Sequence, residues 1–216
     1  MMRLAFVGTP ELAAQYLRAL ADKHELVGVL TQPDRPRGRS GKPVPSPVKR
    51  VAQELGLPVL HPDNGSCGEA CQALKQMGAE LGVIVAFGEK IPCGSCGFAD
   101  GEMLNVHYSL LPKLRGPAPV QHAILQGLEE TGVTVQTVAP EWDEGDIILQ
   151  EPVRVLPDDT CATLTARLTE VGVATLLTAL DLIERGEAVR RPQDPAHATY
   201  APAFRREDRW VRWDAS

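Results

Sequence analysis

The chain predicts an α/β fold: a mostly parallel sheet with helices on both faces and an antiparallel strand pair toward its C-terminal part. Three observations predict it. Short apolar runs alternate with helix-period stretches from residue 2 to about residue 127, as crossover-connected parallel strands do. The run ELGVIVAFG (80–88) is mostly apolar, the pattern of a strand covered on both faces. Two later runs, TGVTVQTV (131–138) and DIILQEPVRV (146–155), are close enough in sequence to pair antiparallel.

MRLAFVG (2–8) is a first apolar strand, and the helix after it runs from Pro10 to about Ala21, with Thr9 as its expected N-cap. ELVGVLT (25–31) is the second strand. A proline- and glycine-broken stretch follows, a loop to about Val44. SPVKRVAQELG (46–56) is a helix with Ser46 as cap and Gly56 as stop. LPVLH (57–61) is a third strand, followed by a helix from about Cys67 to Met77. The fourth strand is 80–88 and the fifth is MLNVHY (103–108). A helix at about 117–127, the antiparallel pair and a long helical stretch at about 160–186 complete the body, without internal repeats.

The 216 residues suffice for one sizeable domain. No apolar run approaches the ~18–20 residues of a membrane span, and the start lacks a signal-peptide pattern. Five cysteines without a secretory signal point to a reducing cytoplasm. A net charge of −6 excludes a generally basic nucleic-acid binder. A local basic patch nevertheless exists. Residues 31–50 carry Arg35, Arg37, Arg39, Lys42, Lys49 and Arg50 against Asp34 alone. Such a loop is either a solvated surface or an electrostatic hand for phosphates.

Function in this architecture belongs at the C-terminal ends of the parallel strands. The turn after the first strand, GTPE, lacks the glycines of a dinucleotide fingerprint. The fifth strand ends in LNVHYSLLPKLRGPAPVQ (104–121), where Asn105, His107 and Ser109 alternate and are expected on one face. A His can exchange a proton near neutrality, and an Asn amide can donate to an oxyanion without adding charge. EWDEGDIILQ (141–150) offers Asp143 and Asp146 as carboxylates to orient the His. By spacing alone, a His on a strand is more often a structural histidine than a catalyst, and Asp143 could equally be a plain turn residue.

Taken together, FVGTPELA, VLTQPDRPRGRSGKPVPSPVK, NVHYSLLPKLRGPAPVQ, TGVTV and DEGDIILQ resemble, in the same order, segments of the methionyl-tRNA formyltransferase family within the enzymes that use 10-formyltetrahydrofolate. The resemblance implies a Rossmann-like catalytic domain, residues 1–203, with 204–216 as a tail or the start of a linker and the family's C-terminal tRNA-binding barrel absent. It implies formyl transfer from 10-formyltetrahydrofolate to the α-amino group of initiator methionyl-tRNA. Rival activities are hydrolysis of the same folate by a deformylase, a sugar-nucleotide formyltransferase, and folate or RNA binding without turnover. Asn105, His107 and Asp143 are implied as catalytic. Phe87, Gly88, Ser109, Leu110, Leu111, Pro112 and Asp146 are implied around the folate, and Arg35, Arg37, Arg39 and Lys42 on the tRNA. A cytoplasmic monomer with no membrane partner is expected. One departure is Leu12, where the family usually has Phe.

Four cysteines stand outside that resemblance: Cys67, Cys71, Cys93 and Cys96. Their C-x3-C and C-x2-C spacings suit a tetrahedral structural zinc site. A redox-active CGSC pair, or four unrelated thiols, fit the same residues.

Overall fold

The computed structural model describes residues 1–36, 41–62, 67–91, 97–99 and 102–210. Its strands are β1 (Arg3–Gly8), β2 (Glu25–Leu30), β3 (Arg35–Pro36), β4 (Pro43–Val44), β5 (Val59–Leu60), β6 (Leu81–Val85), β7 (Met103–His107), β8 (Glu130–Thr137) and β9 (Ile147–Arg154). Its helices are α1 (Glu11–Ala21), α2 (Pro47–Glu54), α3 (Gly68–Gln76), α4 (Pro119–Leu125) and α5 (Cys161–Glu184). A seven-stranded sheet runs in the order β5-β2-β1-β6-β7-β8-β9. The pairs from β5 to β7 are parallel, and β8 pairs antiparallel with both β7 and β9.

Alternation along β1 explains why both faces are covered. Leu4 and Phe6 enter one buried cluster with residues of α1, α2 and α5, while Ala5 and Val7 enter a second with Ala70, Cys71 and Leu74 of α3. Fully burying one such Leu or Phe contributes about 1.5–3 kcal/mol. The central strands are held from both sides, so their C-terminal ends form a stiff edge. None of the described helices is long and apolar enough to cross a membrane.

Local sequence sets the helix boundaries. Ser46 caps α2, its hydroxyl accepting from Lys49 N at 3.0 Å. Thr160 and Thr163 cap α5 reciprocally. Thr9 is not the cap of α1: Pro10 occupies that position, and the Thr9 hydroxyl instead reaches toward the Phe87 carbonyl at 3.5 Å. The stretch read as a loop to Val44 contains a small hairpin, β3 against β4.

Beyond α5 the chain does not leave the body. Arg191 bridges to Ile147, and Tyr200 bridges to Arg115. Thr199 O accepts from Arg115 N at 2.9 Å, and Ala201 N donates to Arg115 O at 2.7 Å. Residues 191–201 thus form a strap across the C-terminal edge of the sheet.

Candidate active site

Asn105 and His107 are delivered by β7, and Asp143 by the turn between β8 and β9. Asp143 has a positive φ of 56°, which turns the chain sharply before β9. Two residues on, a Cβ at Gly145 would lie 1.7 Å from the Thr137 carbonyl oxygen. Only glycine lets the turn press this closely on β8. Asp146 seals its base, its N–H donating to Thr137 Oγ1 at 2.9 Å and its carbonyl accepting from Thr137 N at 2.9 Å.

The three side chains converge. Asp143 Oδ1 accepts from Asn105 Nδ2 at 3.3 Å and from Gln136 Nε2 at 3.0 Å, and Oδ2 accepts from Gly116 N at 2.8 Å. His107 Nδ1 lies 3.5 Å from Asp143 Oδ1, and both side chains are buried. His107 Nε2 is 2.8 Å from the Leu114 carbonyl. A carbonyl only accepts, so Nε2 carries a hydrogen. Nδ1 is then the basic atom, with a carboxylate beside it to stabilise an added proton. Asn105 Nδ2 has two hydrogens, and Asp143 engages one.

A cavity of about 560 Å³ opens on this cluster. Ile84 to Glu89, Asn105 to Tyr108, Gly116, Trp142, Asp143, Leu12, Thr165 and Tyr200 are among its lining residues. A smaller recess of about 60 Å³ continues past Asn105 and Asp143 between Lys90, Ile91 and the Gln136–Ala139 stretch. A second large cavity, also about 560 Å³, shares Ala86 to Glu89 with the first and is lined by Gln32, Arg35, Val44 and Ser46 from the basic segment.

Sequence-predicted residues separate into those at the site and those behind it. Phe87 and Gly88 line the cavity. Ser109, Leu110, Leu111 and Pro112 are absent from its lining. The period-two expectation fails at Ser109 because β7 ends at His107. The Ser109 hydroxyl donates instead to Lys113 O at 2.6 Å and closes the turn. Thr134 Oγ1 pins that turn to β8, donating to Ser109 O at 2.6 Å and accepting from Leu111 N at 3.1 Å. Of the basic residues, Arg35 Nη2 donates to Gln32 Oε1 at 3.1 Å, and Lys42 is exposed. Arg37 and Arg39 lie outside the described residues.

The zinc site finds no support. Cys67 and Cys71 are buried at the start of α3, and Cys67 Sγ donates to Glu89 Oε2 at 3.2 Å. Burial, reinforced by the Glu89 carboxylate, pushes this thiol up to about 12, away from the thiolate a metal needs. Cys93 and Cys96 lie outside the described residues. Among the described residues no group of three or more His, Cys, Asp or Glu is arranged to hold a metal.

Sequence reasoning missed Gln136, Gln193 and Tyr200. Gln136 had a signal, as the lone amide of its strand, directly opposite Asn105 in the register. Gln193 had none, being nearly ninety residues from Asn105 in a stretch without periodicity.

A buried His beside a carboxylate, with a neutral amide donor at the mouth of a large cavity, defines a class: an enzyme that moves a proton while stabilising an oxyanion, without a nucleophile of its own. A family model described as formyl transferase matches residues 2–180. The methionyl-tRNA formyltransferase of Heliobacterium modesticaldum is 45% identical over 218 residues, covering 99% of this chain and 68% of that protein. The methionyl-tRNA formyltransferase of Moorella thermoacetica is 44% identical over 214 residues, covering 99% and 69%. The chain belongs to the formyl transferase family, among its methionyl-tRNA formyltransferases. Solved structures agree on the fold. Glycinamide ribonucleotide transformylase 1 from Symbiobacterium toebii superposes with a TM-score of 0.75 at 23% identity, covering 90% of this chain and 95% of that one. HypX from Aquifex aeolicus in complex with tetrahydrofolic acid gives 0.73 at 20%, covering 100% and 32%.

Proposed function

We propose that the protein transfers the formyl group of 10-formyltetrahydrofolate to the α-amino group of initiator methionyl-tRNA, with Asn105, His107 and Asp143 as its catalytic residues. The observation that carries this is the convergence of Asn105 Nδ2 and His107 Nδ1 on Asp143 Oδ1, at 3.3 and 3.5 Å, beside the large cavity. The attacking nitrogen belongs to the substrate, so no Ser or Cys nucleophile is needed. As it bonds to the formyl carbon, the carbonyl oxygen gains charge, and the free hydrogen of Asn105 Nδ2 is placed to receive it. His107 Nδ1 takes a proton from the attacking amine, and Asp143 stabilises the resulting imidazolium. The same proton then goes to the folate nitrogen as its bond to the formyl carbon breaks. One C–N bond forms and one breaks, and no electrons are exchanged.

The small recess beyond Asn105 suits the flat end of the folate, and the large cavity suits the aminoacyl end, with Leu12 and Tyr108 on its apolar side. Phe87 and Gly88 line the large cavity rather than the recess, and would flank the folate where the two spaces meet. Ser109 to Pro112 and Asp146 would act from outside the cavity, through their bonds to Thr134 and Thr137 of β8. Arg35, which lines the neighbouring cavity, would meet the acceptor end of the tRNA together with Arg37, Arg39 and Lys42 of the same segment. Residues 1–203 act as the catalytic unit, with 204–216 leading out of it. Phe204 stacks on His122 of α4, ring centroids 5.2 Å apart. A cytoplasmic monomer that engages no membrane completes the proposal.

Transfer of labelled formyl to initiator methionyl-tRNA, for the unaltered protein and His107→Ala, tests it. The variant is expected to lose on the order of 10²–10⁴-fold in rate. Release of formate without transfer would replace the proposal with a hydrolase.

A further inference from the structure

We infer that Gln193, in the strap beyond the family match, is a positioning residue that sets Asp143 through Gln136. Hydrogen-bond polarity carries the argument. Arg115 Nε donates to Gln193 Oε1 at 3.0 Å, and an arginine can only donate. The oxygen of the Gln193 amide must therefore face Arg115, and its nitrogen must face the other way. There it meets three acceptors: Asp143 O at 2.8 Å, Gly145 O at 2.8 Å and Gln136 Oε1 at 3.1 Å. Gln136 is oriented in turn. Its oxygen accepts from Gln193, so its nitrogen is the atom offered to Asp143 Oδ1 at 3.0 Å.

Arg115 thus fixes Gln193, Gln193 fixes Gln136, and Gln136 presents an N–H rather than an oxygen to the carboxylate beside His107. Arg115 is itself buried and held by Glu144 Oε1 at 2.6 Å. The same amide nitrogen also ties the backbone of the Asp143 turn at two carbonyls. A residue that acts on both the side chain and the backbone of the turn controls where the carboxylate sits, and misplacement by about 1 Å can cost about 10²-fold in rate.

Gln193→Glu is the discriminating variant because it preserves shape while inverting polarity. Its second oxygen would face three acceptors, and Gln136 would have to turn its own oxygen toward Asp143. The kinetic arm rests on the formyl-transfer reading. Gln193→Glu is expected to lower kcat by on the order of 10²-fold, with Gln193→Ala intermediate and the Kd for tetrahydrofolate unchanged. In a cycle of Gln136→Ala and Gln193→Ala, the double variant should be barely worse than either single one. The second arm needs no turnover. In protein labelled with ¹⁵N-histidine, the His107 Nδ1 resonance should move in Gln193→Glu and Gln193→Ala. A Gln193→Glu enzyme as fast as the parent, additive single effects, or an unmoved His107 resonance would each overturn the inference. Loss of transfer in the parent protein would instead remove the proposed function and leave the resonance to decide the relay.

Discussion

At Tyr16 and Tyr108 two hydroxyls lie buried 3.2 Å apart, and the chain of donors through them has one direction. Thr169 Oγ1 donates to Thr165 O at 2.7 Å, so it accepts from Tyr108, which in turn accepts from Tyr16. A Cβ at Gly172 would lie 1.9 Å from the Tyr16 hydroxyl, so α5 makes room for the ring by carrying glycine there. Burial holds both phenols above their ordinary range. Above about pH 10 the unfolded chain releases protons that the folded chain keeps, so stability is complete below that pH and falls above it. Urea unfolding should show stability falling as pH rises above about 10, the Tyr16 phenol alone tending toward about 1.4 kcal/mol per pH unit. Tyr16→Phe should remove the larger part of this slope, and an identical slope in the variant would refute the account. Legibility at this scale followed chemistry. Asn105 and His107 could be read because polar residues at strand spacing are conspicuous, whereas Gln193 acts only through the polarity of partners that folding supplies.

Between β8 and β9 the turn is a device of its own, and Gly145 is the residue it depends on. With the Thr137 carbonyl 1.7 Å from where a Cβ would stand, even alanine must push backbone against backbone. Gly145→Ala should destabilise the fold by about 1–3 kcal/mol, read as a lower urea midpoint. It should also cut formyl transfer more than it weakens folate binding, because Asp143 moves with the turn. Equal losses in both would show that the turn shapes the pocket rather than the carboxylate. Strands and helices were legible here because each repeats a period, and the small shifts at their ends came from competition for caps, as where Pro10 displaces Thr9. The strap was not legible. It follows no period, and its bonds go to residues around Arg115 that are distant in sequence.

Across the whole molecule, a chain of net charge −6 carries a basic segment whose cavity adjoins the one at Asn105, His107 and Asp143 along Ala86 to Glu89. Negative charge on the rest of the chain discourages RNA there, and the segment sets six basic residues against Asp34 alone over residues 31–50. Binding of initiator tRNA should therefore weaken with salt. Arg35→Ala and Lys42→Ala should each reduce the slope of log Kd against log salt by about 0.7–0.9, with folate binding untouched. A slope that ignores both substitutions would take the segment off the tRNA. The overall α/β architecture was readable from the sequence because it is a sum of local patterns, while the cysteine cluster misled because spacing alone does not report protonation or a neighbouring Glu89.

The strap also orders events during synthesis. A ribosome releases Asn105, His107 and Asp143 well before Gln193 and Thr199, so the growing chain can assemble its parallel strands and begin to shape a folate cleft while Leu114, Arg115 and Gly116 still lack their clasp. Thr199 Oγ1 takes the Leu114 N–H at 2.8 Å only when that later stretch emerges. Closure of the strap thus comes after the strands it clasps have been made, and the polar cluster around Asp143 is complete only once Gln193 has joined it.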